Sequence, residues 1–240
     1  MAAQKTLFDK TADFKGRPYR NITTLRESAD LFDDLTAGDE NASAIAAEAE
    51  MRVKGHPVLP DSNIIQRGFD YTRSIIEYPF KNEPYLFTRF GDGTYGVWYG
   101  SLEMKTTVFE TGFHMIKAER AVEGLDEVVV RERAVYRVKC RAILIDLRGK
   151  QKSFPELVTG NYGFTRQIGQ RVNREGHPGL LAPSSRYNGT NIVIFNPEVL
   201  SDPRLYCYLT YFFDPLTLKV RVERTVGRTW LKVDGRKWFE

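Results

Sequence analysis

Cysteine and histidine are scarce in this 240-residue chain, with two of the first (Cys140 and Cys207) and three of the second. Two cysteines make no disulfide framework, and three histidines leave little for a zinc centre, so no metal is expected. No stretch approaches eighteen apolar residues, so no membrane-spanning helix is expected. The opening MAAQKTLFDK lacks a signal-peptide core, because Asp9 and Lys10 fall where the apolar run would continue. A soluble, cytoplasmic protein is the expectation. Rossmann strand–loop–helix spacing and a Walker A loop are both absent, so a bound nucleotide would be held by other devices. With no oligobasic run, zinc-finger spacing or recognition-helix signature, sequence-specific nucleic-acid binding is not expected either.

What is present is an aromatic-rich composition, with 15 Phe and 12 Tyr, 42% hydrophobic and 28% charged residues. That suits a folded domain with a real core. Charge is uneven: residues 1–50 hold six basic and ten acidic side chains, the remainder 29 basic and 21 acidic. A basic body can attract nucleic acid or hold a pyrophosphate-bearing nucleotide.

The pattern divides the chain into an N-terminal extension (1–60, partly helical or flexible), a central domain (61–200) and a strand-rich C-terminal extension packed on it (201–240). Helices are predicted over 24–36, where Thr24 and Glu27 form a capping box, and over the alanine-rich stretch beginning at Ala42. Residues 61–78 read as a helix anchored by Ile64, Ile65, Phe69, Ile75 and Ile76, with Pro79 and Pro84 enclosing a turn. PYLFTRF and YGVWYG read as two strands of a hairpin about Gly91-Asp92-Gly93. A helix follows from Thr106, then alternating strand material over 128–147, a helix over 162–175, and the strand NIVIF. The tail reads as an antiparallel meander that includes KWFE. The fold class is α+β with a mixed or antiparallel sheet core and flanking helices.

Four features at turns and element ends carry chemistry. Arg89 suits a bidentate phosphate or carboxylate clamp, or is an exposed strand arginine. Tyr99 offers a ring to stack on a base, or is a core residue. Glu110 is the sole acidic side chain of TTVFETGF. It suits stabilisation of developing positive charge on a sugar, or an N-terminal helical position. His114 lies one turn beyond it, more simply a satisfied helix histidine. In LLAPSSRYNGTNIVIF, Ser184 and Ser185 stand between a glycine-rich loop and a strong strand, a place to present donors to an anion. No G-x-S-x-G elbow supports a hydrolase serine.

Together the blocks TRFGDGTYGVWYGSLEMKTTVFE and GHPGLLAPSSRYNGTNIVIF, with steps of ten and eleven residues from Arg89 to Tyr99 to Glu110, resemble the RES domain family. The resemblance implies a single domain like the ADP-ribosyltransferase fold, with NAD+ as substrate. It further implies a toxin of a toxin–antitoxin pair, neutralised by an Xre-type antitoxin. Activities implied are NAD+ glycohydrolase, NAD+ phosphorylase with inorganic phosphate as co-substrate, and ADP-ribosylation of a protein such as a nucleotide-synthesis enzyme. The family arginine, tyrosine, glutamate and serine map to Arg89, Tyr99, Glu110 and Ser184, with Ser185 as the register alternative. A homodimer is a candidate assembly. One departure stands out: the family's Gly-Arg-Trp-Asn is here Thr88-Arg89-Phe90-Gly91, so the asparagine has no counterpart. The alternative from another class is a non-enzymatic interaction module in which Arg89 and Glu110 form a salt bridge.

Overall fold

The computed structural model describes residues 7–23, 64–81 and 84–239, with the side chains of the first helix described from residue 73. Along the chain run β1 (Thr11–Gly16), β2 (Tyr19–Thr23), α1 (Ile64–Lys81), β3 (Trp98–Ser101), α2 (Met104–Glu119) and β4 (Val129–Asp146). There follow α3 (Gly163–Arg174), β5 (Gly179–Pro183), β6 (Thr190–Ile194), β7 (Leu200–Asp214), β8 (Lys219–Thr225), β9 (Arg228–Asp234) and the short α4 (Arg236–Phe239). The helices expected over 24–36 and from Ala42, and the anchors Ile64, Ile65 and Phe69, lie outside the described residues and side chains.

The 18-residue β4 is the spine. Its period-two pattern buries Tyr136, Val138, Cys140 and Leu144, while Arg141 is exposed between them. One edge of β4 takes β2 (Asn21 opposite Val135) and β1 (Thr11 opposite Ile145). The other takes β7, from Val129 opposite Phe213 to Cys140 opposite Leu200. At its end β4 meets β5 in parallel, Ile145 opposite Leu180. β5 pairs β6, β6 pairs β3, and β3 meets β2, so these four strands close a ring with β4. β7, β8 and β9 extend the sheet outward as a meander. The fold class is as expected: nine strands in one mixed sheet, with four helices among the described residues.

Several boundaries differ from the reading of the sequence. Residues 11–23 are not an extension but two strands of the central sheet, because β4 is long enough to pair both end to end. Residues 201–214 likewise lie inside the sheet as β7, paired along β4, rather than packed on a finished domain. PYLFTRF is no strand. Leu86 and Phe87 are both exposed, which breaks the alternation, and only an isolated Phe87–Asp92 bridge survives of the hairpin. Arg89 therefore sits on a loop. The stretch Gly91–Gly96 carries a G-x-G-x-x-G spacing, yet it leads into β3 and not into a helix. Arg236–Phe239 is helical rather than a strand, because Asp234 Oδ1 accepts from Arg236 N (3.1 Å) and turns the Asp-Gly pair into a helix start.

Pro79 lies inside α1 rather than at a turn beyond it. Proline cannot donate to the carbonyl four residues back, which is that of Ile75. The indole Nε1 of the fully buried Trp98 donates to that vacated oxygen at 3.1 Å. The proline and the buried indole are thus one device that docks α1 on β3.

Three apolar clusters fill the layers. One lies between α1 and the sheet (Ile75, Trp98, Val138), one around α3 (Phe90, Leu157, Val172), and one under α2 (Phe109, Ile116, Phe213, Val222).

Candidate functional site

The site is built where one face of α2 meets the loop joining β5 to β6. Thr106, Phe109, Glu110 and Phe113 are spaced i, i+3, i+4 and i+7, so they share a face. Each meets a different loop residue. Thr106 abuts Gly189, where a Cβ would lie 2.0 Å from the threonine hydroxyl. Phe109 stacks on Tyr187 with centroids 4.4 Å apart. Phe113 carries the Arg186 guanidinium over its ring at 3.4 Å. Glu110 accepts a hydrogen bond from Ser184 Oγ at 2.6 Å.

Glu110 Oε1 accepts a second bond from Asn191 Nδ2 (2.7 Å), and Asn191 Oδ1 in turn accepts from the buried Ser101 Oγ (2.7 Å). Ser184 is buried and fully engaged, its oxygen also accepting the backbone N–H groups of Arg186 and Tyr187 at 3.1 Å. One carboxylate oxygen is thereby fixed by two donors that flank the β5–β6 loop, Ser184 just after β5 and Asn191 at the start of β6, while Oε2 has no hydrogen-bond partner among the described residues. This is how a carboxylate is held rigid and still left able to act.

Arg89 approaches from the other side. Its Nη1 donates to the carbonyls of Leu157 (3.2 Å) and Thr159 (2.9 Å), and its Nη2 donates to Ser185 Oγ (2.7 Å). The Tyr162 ring lies beneath the guanidinium at 4.4 Å. Burial lowers the Arg89 pKa, against the opposing pull of Tyr162 and Glu110. Nε and one hydrogen of Nη2 remain without a partner among the described residues. The serine pair thus divides its work: Ser184 holds Glu110, Ser185 holds Arg89. No Arg89–Glu110 salt bridge forms among the described residues, although the interaction-module reading requires one.

Tyr99 is used at its hydroxyl, which pairs with Thr88 Oγ1 (2.8 Å) and accepts from Phe90 N (2.9 Å). Burial pushes its pKa up to about 12, so it stays a neutral phenol. Its role here is to hold the loop that presents Arg89. The same loop accounts for the missing asparagine. A Cβ at Gly91 would stand 2.7 Å from Thr88 Oγ1, so the threonine hydroxyl occupies the space a side chain at 91 would enter. Arg20, from β2, donates to the Tyr99 carbonyl at 2.7 Å. His114 is exposed, edge-on to Phe113 with centroids 5.4 Å apart, and makes no hydrogen bond to Glu110 among the described residues.

Beside these groups lies an open cleft of about 570 Å³, with cationic side chains from Lys117, Arg166 and Arg186 and aromatic ones from Phe87, Phe113, Tyr162, Trp238 and Phe239. Glu110, Arg89 and Ser184 are not in its lining. They adjoin that lining: Arg89 lies over the Tyr162 ring, and Glu110 shares a face of α2 with Phe113, which carries Arg186. Asn191, Tyr162 and the cleft cations had no signal at the sequence level beyond their nearness to elements already singled out. Among the described residues no group of three His, Cys, Asp or Glu side chains is placed to hold a metal ion. No described helix is long and apolar enough to cross a membrane.

Comparison with curated proteins finds no relative. Among solved structures, a chain of the crystal structure of the M. tuberculosis MbcT–MbcA toxin–antitoxin complex aligns with a TM-score of 0.42 and 9% identity, over 86% of this chain and 88% of that one. The family model of the RES domain matches residues 64–214, from the start of α1 to the end of β7. That span is well over half of the sequence and contains Arg89, Tyr99, Glu110, Ser184 and Ser185; the chain belongs to the RES domain family.

Proposed function

We propose that the protein cleaves the nicotinamide–ribose bond of NAD+, with inorganic phosphate or water as acceptor, as a toxin restrained by an antitoxin. The observation that carries this reading is Glu110, with Oε1 pinned by Ser184 and Asn191 and Oε2 free. A cationic nicotinamide leaves as a neutral base, so no general acid is needed, and the barrier is set by the charge that develops on the ribose. A fixed carboxylate facing that carbon stabilises it, and because it does not reorganise it can contribute about 3 kcal/mol. The unpartnered hydrogens of Arg89 and the cleft cations Lys117, Arg166 and Arg186 offer positive charge to the pyrophosphate. The absence of an Arg89–Glu110 ion pair leaves both groups available, against the interaction-module alternative.

ADP-ribosylation of a protein acceptor is the second reading, and it uses the same carboxylate. An open cleft also gives a partner something to plug, in keeping with the Xre-type antitoxin that the family resemblance implies.

The test is product analysis of NAD+ incubated with purified protein, with and without phosphate, beside Glu110→Gln. ADP-ribose regardless of phosphate means hydrolysis, and ADP-ribose 1″-phosphate formed only with phosphate means phosphorolysis. Glu110→Gln is expected to lower nicotinamide release by about 10²–10³-fold while keeping the wild-type melting temperature. Intact NAD+ in every sample would overturn free-NAD+ cleavage.

A further inference from the structure

The family match ends at residue 214, yet part of the cleft wall comes from beyond it. After β8 and β9 the chain turns at Gly235 into α4, which sets Trp238 and Phe239 against α2. Phe239 stacks parallel to Phe113 with centroids 5.3 Å apart, and Trp238 meets Phe113 edge-on at 5.6 Å. Arg186 lies over the Phe113 ring at 3.4 Å and Arg120 over the Phe239 ring at 4.7 Å, so the two stacked rings each carry a guanidinium, with Trp238 at their edge. Trp238, Phe239 and Arg186 are all half-buried and line the cleft. Apolar rings standing half open beside Lys117 and Arg186 are suited to a ligand that is itself flat and anionic.

We infer that α4 completes a nucleobase site: the purine of the dinucleotide seats against the Arg186–Phe113–Phe239 stack and Trp238, with Lys117 and Arg186 on its phosphates. The assignment rests on the NAD+ reading of Glu110. The spacing on α2 is consistent with it. Glu110 and Lys117 are seven residues apart, about 10 Å along a helix axis, and Phe113 lies between them. A ligand whose reacting ribose faces Glu110 can thus run along α2 with its phosphates near Lys117 and its second ring at α4. A cleft of about 570 Å³ has room for a molecule of that size. Both the guanidinium plane and the aromatic rings are surfaces on which bases stack.

The experiment compares NAD+ with nicotinamide mononucleotide, which has the same scissile bond and lacks the adenylate, on wild type, Phe239→Ala and Trp238→Ala. Phe239→Leu and the melting temperatures control for folding. Each alanine variant is expected to raise KM for NAD+ about tenfold, in line with the loss of one base–aromatic stack, with kcat within twofold. Cleavage of the mononucleotide is expected to be unchanged. Equal losses on both substrates, or no loss on either, would overturn the base site and leave the cleavage reading standing. Calorimetric titration with AMP and with ribose 5-phosphate gives a readout free of turnover. AMP binding that is tighter than ribose 5-phosphate binding in wild type and falls to its level in Phe239→Ala supports the site even if NAD+ is not cleaved. Equal affinity for the two in wild type overturns it.

Discussion

Gly189 shows how much of the site hangs on a single hydrogen atom. Its notional Cβ would stand 2.0 Å from Thr106 Oγ1, and its carbonyl accepts the backbone N–H of Ser184 at 2.8 Å. Thr106 Oγ1 itself is buried with no hydrogen-bond partner among the described residues. A methyl at 189 must push the loop off α2 and carry Ser184 away from Glu110. Gly189→Ala is expected to cost more than tenfold in NAD+ turnover, since a displacement of about 1 Å at reacting groups is already expensive. Thr106→Ala in the same chain removes the obstructing hydroxyl and is expected to restore part of that loss. A double-mutant cycle on turnover measures the coupling. Additive effects would mean that the loop is not held by this contact.

At the level of elements, α2 is set on the sheet by a buried polar knot. Asn21 on β2 donates to Tyr211 Oη (3.0 Å) and to Thr107 Oγ1 (3.3 Å), and accepts from Arg133 Nε on β4 (2.7 Å). Thr111 on α2 pairs with the same Tyr211 hydroxyl at 3.0 Å. Thr107 and Thr111 flank Glu110, so this knot fixes the helix that carries the carboxylate. Asn21→Ala leaves Arg133 and Tyr211 short of partners and is expected to destabilise the fold by about 2–3 kcal/mol, read as a lower urea midpoint. The knot also explains what the sequence hid. The alternation over Val129–Asp146, the helix at 163–174 and the strand NIVIF were legible because burial imposes a strand period on the first, a helical one on the second and an unbroken apolar run on the third. β1 and β2 were not, because their burial is weak and their partner lies far along the chain. Arg89, Glu110 and the serine pair could be picked out as charged or hydroxyl side chains at turns and element ends. Asn191 and Tyr162 could not, because what distinguishes them is a partner in space rather than a spacing in sequence.

For the whole molecule, the ring of strands is closed beside Asp146. Its N–H donates to the Lys10 carbonyl (2.9 Å), and its fully buried carboxylate binds Arg148 (2.8 Å) and Lys10 (3.1 Å). The Arg148 hydrogen bonds, opposed by burial and helped by Lys10, hold the Asp146 pKa well below the usual carboxylate range. A depressed acid stabilises the fold above its unfolded-state pKa and loses that contribution as pH falls toward the folded value. Asp146→Asn is therefore expected to cost about 2 kcal/mol at pH 7, less than a wholly buried pair because both cations are partly exposed. The gap between the two proteins should narrow from about pH 4 downward, followed by urea unfolding at each pH. A gap independent of pH would show that packing, not charge, is responsible.

The pairing of β1 with the far end of β4 also sets the order of events at synthesis. Thr11 finds its partner only at Ile145, and Thr23 finds its own only at Arg133. At roughly 5–20 residues per second, the first two strands leave the ribosome many seconds before the edge that will receive them. Until then they are unpaired β segments, exposed to any other edge in reach. Glu110 is in the same position, since Ser184 and Asn191 are made last of the three. A nascent chain cannot assemble the carboxylate clamp before most of it has been translated, so a growing chain carries no finished site.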